Sequence, residues 1–113
     1  MRDSYHEQLD SIGEGLVEMS RLAGSAVSRA TTALLDADLA LAEQVIAGDQ
    51  VINDLYRTIE SQAFDLLARQ QPVAGDLRFV AAVIKINSDL ERIADCAVNV
   101  AQRVLPLAQD DHY

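Results

Sequence analysis

The residues best placed to do chemistry in this chain are carboxylates and amides spaced by four. Asn87, Glu91, Asp95 and Asn99 follow one another at i, i+4, and residues four apart are neighbours on a helix surface. Glu91 and Asp95 are like charges with no lysine or arginine four residues from either, and only Arg92 reaches Asp95, at i+3. Asp49 and Asn53 repeat the spacing on a smaller scale, and Asp49 has no basic residue three or four positions away. Grouped carboxylate and amide oxygens suit a hard cation, and carboxylates also suit iron and manganese. The plainer alternative is a pair of solvated acidic faces, and spacing alone leaves both readings open. Other chemistries find less support. His6 and His112 stand at opposite ends of the chain. No Gly-Lys-Ser/Thr motif exists to cradle phosphates. A di-iron bundle enzyme needs inward-pointing Glu-x-x-His motifs, and none is present. With no identifiable nucleophile or general base, the chain reads as a non-enzyme.

The elements that must position these groups are helices. Gly and Pro together make seven residues, too few for a loop-rich β fold, and the apolar residues recur at a helical period. The first segment runs from about Ser4 to Leu35, with an apolar stripe of Leu9, Ile12, Leu16, Met19, Leu22 or Ala23, Ala26, Ala30 and Leu34. Asp36-Ala37-Asp38 interrupts it, and either aspartate suits the cap of the next helix. The second segment runs from about Asp38 to Arg69, with Val45, Ile52, Ile59 and Leu66 on a seven-residue repeat. Gln70–Asp76 forms the next connection, where Pro72 suits a first helical turn. The third segment runs from about Ala74 to Leu105. Its expected seam is Val83, Leu90, Ala97 and Val104 with Phe79, Ile86, Ile93 and Val100. Pro106 is expected to end it. The Asn87–Asn99 stripe should then face mainly outward, with Cys96 as a small buried residue and Arg78 paired with a nearby acid. Short connections make sequential helices antiparallel. The expected fold is all-α, an antiparallel up-down-up three-helix bundle over residues 1–105, with an exit linker over 106–113.

Composition narrows the partners. Half of the 113 residues are hydrophobic, so a packed core is expected, and the net charge is −9. An acidic chain lacks the basic face that neutralises nucleic-acid phosphates and is repelled by anionic lipid surfaces. No apolar run approaches the ~18–20 residues of a membrane span, and the opening residues show no secretory pattern. The single cysteine, Cys96, cannot form an internal disulfide, and a reducing, cytoplasmic setting is expected.

Three stretches resemble the PhoU family of phosphate-signalling regulators: AEQVIAGDQVIN at Ala42–Asn53, QQPVAGDLRFVAAVIKI at Gln70–Ile86 and DLERIADCAVNVA at Asp89–Ala101. The opening YHEQLDSI at Tyr5–Ile12 also fits. The resemblance implies a build of two tandem three-helix bundles, of which this chain holds one. It also implies an acidic motif on two helices, able to hold metal ions or multinuclear iron or zinc clusters on the bundle surface. By that resemblance Glu91 and Asp95 form the third-helix motif, and Asp49 and Asn53 occupy the second-helix motif, with Asn53 departing from the acidic pattern. The implied ion is iron, zinc, manganese or magnesium. The implied function is regulatory: damping the phosphate-starvation response by linking a phosphate importer, through its ATPase subunit, to a sensor histidine kinase. The alternative is a structural helical docking module without functional metal. With the second bundle absent, self-association to a dimer is expected, through the small residues Gly24, Ala26 and Ala30 of the first helix.

Overall fold

In the computed structural model, which describes residues 2–108, the chain forms three long helices: α1 (Arg2–Asp36), α2 (Leu39–Gln70) and α3 (Ala74–Ala108). No strand occurs among the described residues. Each helix packs against both others, giving a rod of 63 × 19 × 17 Å. The short connections make α2 antiparallel to its neighbours, so α1 and α3 run parallel. The expected three-helix bundle is therefore present.

The first turn is built by an aspartate and a strained alanine. Asp38 caps α2, its Oδ1 accepting from the Leu41 amide at 3.1 Å, which satisfies one of the orphan donors of a helix start. At the end of α1, the Asp38 amide donates to the Ala33 carbonyl at 2.9 Å. Ala37 takes the left-handed conformation (φ 51°) that this closure requires. A Cβ is disfavoured there, whereas glycine is not. Ala37→Gly should therefore raise stability by up to about 1 kcal/mol, measurable as a higher urea midpoint. An unchanged or lower midpoint would show that the turn tolerates its alanine without strain. The second connection ends α2 at Gln71, also left-handed (φ 48°). Pro72 lies in that connection rather than in the first turn of α3. The third helix does not stop at Pro106 but passes through it to Ala108. Proline removes one amide donor and keeps a helical φ, so close to a helix end it costs few hydrogen bonds.

The core is built largely of small side chains. Ile12, Met19, Ala23, Ala26, Ala30 and Ala33 of α1 are buried, as are Ala42, Val45, Ile52, Ile59, Ala63 and Leu66 of α2. On α3 the buried set is Val80, Val83, Ala94, Ala97, Ala101 and Val104, with Asn87 among them. Of the eight expected seam residues of α3, only Val83, Ala97 and Val104 are buried. Phe79, Ile86 and Ile93 remain 40%, 43% and 44% exposed, and Leu90 and Val100 are only half-buried. Alanines facing one another let helix axes approach closely, and the bulky residues are left at the edge of the contact. Ala26 and Ala30 lie inside this bundle's own core, so they cannot form the external association face expected of them. Close approach is tightest at Gly15, where a Cβ would come within 3.1 Å of Ile59 Cγ1.

Candidate metal-capable acidic site

The antiparallel packing of α2 on α3 sets the site. The Asn87 Nδ2 donates to the Tyr56 carbonyl at 3.0 Å, pinning the two helices at that level. Moving one turn toward the start of α2 and the end of α3 brings Asn53 and Asp49 alongside Glu91 and Asp95. The four sequence-predicted residues therefore share one face of the α2–α3 seam.

Their electrostatics confirm the proximity. The Glu91 carboxyl is pushed above its ordinary value, chiefly by partial burial. Repulsion from Asp95, a hydrogen bond with Asp95 and repulsion from Asp49 add to this, and Arg57 opposes it. Asp49 Oδ2 accepts from Asn53 Nδ2 at 3.1 Å. Its other oxygen, Oδ1, is shut off from solvent without a hydrogen-bond partner. Asn87 is 1% exposed, and its Oδ1 is likewise unpartnered. Buried polar atoms without partners are uncommon and costly, and here two of them flank the acidic group.

The stripe expected to face outward is therefore graded. Asn87 is buried, Glu91 half-buried, and Asp95 and Asn99 exposed. Two participants were not singled out from sequence. Arg57 is the one base acting on Glu91, and Glu60 accepts from the Tyr56 hydroxyl at 3.3 Å. The four-residue step from Tyr56 to Glu60 was the available signal.

Other expectations fall outside this face. Cys96 is exposed rather than buried, because it stands on the far side of α3 from the alanine seam. His6 is exposed, its ring edge-on to Tyr5 at 5.4 Å, and His112 lies outside the described residues. Asp76 sits in the first turn of α3 and accepts the Tyr5 hydroxyl at 2.8 Å. Arg78 forms no ion pair among the described residues. The exposed bases Lys85 and Arg92 are held instead by Asp89, at 2.9 and 2.8 Å.

Among the described residues, no three histidine, cysteine, aspartate or glutamate side chains converge as a ready ligand group. The donor chemistry nevertheless fits a hard cation. All candidate ligands are oxygens, the Glu91 carboxyl is within electrostatic reach of both Asp95 and Asp49, and one carboxylate oxygen lacks a partner. Added positive charge at this face would offset the mutual repulsion of its carboxylates, which Arg57 opposes at Glu91.

Comparison with known proteins agrees with this architecture. Residues 16–104 match the PhoU domain. The chain is 51% identical over 102 residues to the phosphate-specific transport system accessory protein PhoU homolog 2 of Mycobacterium tuberculosis, covering 90% of this chain and 48% of that protein. It is 49% identical over 102 residues to PhoU homolog 1 of Mycobacterium leprae, covering 90% and 46%. With the PhoU homolog of Aquifex aeolicus it shares 40% identity over 104 residues, covering 92% and 47%. The chain thus spans about half the length of the curated relatives it matches. No helix among the described residues is long and apolar enough to cross a membrane. With the domain match spanning most of the bundle and identities of this size, the chain belongs to the PhoU family.

Proposed function

We propose that this chain serves as an accessory regulator of phosphate transport, acting by contact rather than catalysis. The observation that carries this reading is the 51% identity, over 90% of the chain, to proteins named as accessory to phosphate-specific transport. In this reading it works in the cytoplasm. It links the ATPase subunit of a phosphate importer to a sensor histidine kinase and keeps the starvation response off while phosphate is plentiful. Deleting the gene in its host should switch on a phosphate-starvation reporter in phosphate-rich medium, and restoring the gene should silence it. A reporter indifferent to the deletion would sink the reading.

The α2–α3 acidic face is the part of this proposal that carries chemistry. Glu91 and Asp95 would hold an iron, zinc, manganese or magnesium ion, with Asp49 and the Asn53 amide oxygen beside them. The bound ion would supply positive charge that orders the two helices against each other. Protein purified without chelator should carry metal, and Glu91→Gln with Asp95→Asn should remove it, read by elemental analysis. Equal metal content in both would rule out these ligands. Metal-free, the double variant should be equally stable or more stable by roughly 0.2–0.5 kcal/mol, since a like-charge i, i+4 pair is relieved.

Acidity gives a separate check. A carboxyl raised in the folded state binds its proton more tightly there than in the unfolded chain. Glu91 therefore favours folding below the ordinary carboxylate range. That contribution is lost as pH rises through its elevated folded value. Metal competes with the same proton, so retention should fall as pH drops through that window. Metal binding independent of pH across it would remove Glu91 from the ligand set.

A further inference from the structure

The α2–α3 groove changes character along its length. The bond from Asn87 Nδ2 to the Tyr56 carbonyl fixes the antiparallel register. Carried in seven-residue steps, that register sets Glu91 level with Asn53, Ile84 with Glu60, and Leu77 with Leu67. Each step is ~10.5 Å long at ~1.5 Å per residue. One end of the groove is the acidic face described above. The other end, toward the α2–α3 connection, is apolar and open to solvent: Phe64 is 52% exposed, Leu77 47% and Val73 73%. The Tyr56–Glu60 hydrogen bond marks a four-residue step along this face, and the next such step is Phe64. Val73 stands one turn before Leu77, whose amide donates to its carbonyl at 2.7 Å. Beneath them, half-buried Leu67 and Ile84 pack against the core. Phe79, Ile86 and Ile93 are each two residues beyond Leu77, Ile84 and Glu91, so they point to nearly the opposite side of α3. The charged end is short of partners. Asp49, Glu60, Glu91 and Asp95 form no ion pair among the described residues. Arg57, the base that acts on Glu91, is exposed and stands 3.7 Å from Asp54.

We propose that this groove docks a helical segment of a partner protein, apolar at one end and rich in lysine or arginine at the other. The proposal rests on the regulation by contact argued above and names the chemistry of that contact. Its length follows from the groove: Leu77 to Asp95 covers ~27 Å, which a helix of about 18 residues spans. Apolar side chains of the segment would pack among Phe64, Val73 and Leu77, as in other helix-in-groove complexes. Contiguous apolar exposure of this kind marks an interaction site. Basic side chains at the far end would meet Glu60, Glu91 and Asp95, and the two unlike ends fix the direction in which the segment lies. Charge selects this occupant over the alternatives. A second copy of this chain carries a net charge of −9, and its Lys85 and Arg92 are already held by Asp89. An anionic lipid surface would bring like charge to the carboxylates.

The test measures binding of two labelled, alanine-based helical peptides to the 113-residue chain by fluorescence anisotropy. Chelator is present throughout, so that bound metal does not enter. Both peptides have about 18 residues and one composition. The first gathers its leucines at one end and its lysines at the other, and the second alternates them along its length. The first should bind at least tenfold tighter. Phe64→Glu should weaken its binding at least tenfold, although the change adds negative charge. Val51→Glu makes the same change on a different side of α2 and should not weaken it. Glu60→Lys should also cost at least tenfold, whereas Glu14→Lys, on α1, should change affinity by no more than about twofold. Circular dichroism verifies that every variant is helical. Equal affinity for the two peptides, or equal effects within either pair of variants, would reduce the attraction to net charge and overturn the proposal. No binding of the first peptide at about 1 mM would overturn it too, while the starvation reporter would still decide the regulatory reading. Self-association of the chain in sedimentation, abolished by Phe64→Glu, would give the groove to a second copy instead.

Discussion

Ile59→Ala should destabilise the bundle by about 2–5 kcal/mol, the range for removing a large aliphatic side chain from a core that cannot collapse around the gap. Ile59 is wholly buried, and its Cγ1 lies against the backbone of α1 at Gly15. That backbone is fixed by the rest of α1 and cannot fill the space. Small domains of this kind have about 5–15 kcal/mol of stability in all, so the variant should lose a large share of it. Ile93→Ala, by contrast, should cost below ~1 kcal/mol when measured at sub-micromolar concentration, because that side chain is 44% exposed. Urea denaturation of both variants checks the pair. Similar losses in the two would mean that the α3 seam runs through Ile93 after all.

That contrast also marks how far the fold could be read from the residues. Helix number, order and connections were legible, because three long apolar repeats are separated by Asp36–Asp38 and by Gln70–Asp76. The face of α3 was only half legible. A reading weighted toward large apolar residues selects Phe79, Ile86 and Ile93, since they recur every seven positions. The bundle instead buries Val80, Ala94 and Ala101. The alanines of α1, from Ala23 to Ala33, are buried in the same core. Asn87 hid this register by placing a polar residue in the middle of the true seam. Cys96 was misplaced by the same rotation of α3.

The acidic grouping does not depend on that register, because it rests on differences in position and not on absolute facing. Glu91 and Asp95 stay neighbours whichever way α3 is turned, and so do Asp49 and Asn53. What spacing could not reveal is the gradient of burial across them. The half-buried Glu91 is the group whose protonation the surroundings shift, whereas Asp95 remains in solvent. Equally hidden was the unpartnered Asp49 Oδ1, since only Oδ2 receives the Asn53 amide.

Asn87→Asp should be among the most damaging single changes available, costing about 3–5 kcal/mol at neutral pH, as an uncompensated buried charge does. The substitution is nearly isosteric, so packing should change little. It removes the Nδ2 donor that reaches the Tyr56 carbonyl and puts a carboxylate one helical turn from Glu91, in a place 1% exposed. Desolvation and the neighbouring acid both favour the neutral form, so the introduced carboxyl should have a raised folded-state pKa. The unfolded chain then binds fewer protons than the folded one between the two values, and stability should recover as pH falls through the upper one. Asn87→Leu separates charge from hydrogen bonding. It also loses the bond to Tyr56, but it removes the unpartnered Oδ1, so its cost should stay within ~1 kcal/mol, the net worth of one hydrogen bond. Urea midpoints at pH 7 and pH 5 distinguish the outcomes. If the leucine variant is as damaged as the aspartate at pH 7, and neither recovers on acidification, the link from Asn87 to Tyr56 is what holds α2 against α3. If only the aspartate variant suffers and then recovers, the α2–α3 seam is limited by negative charge.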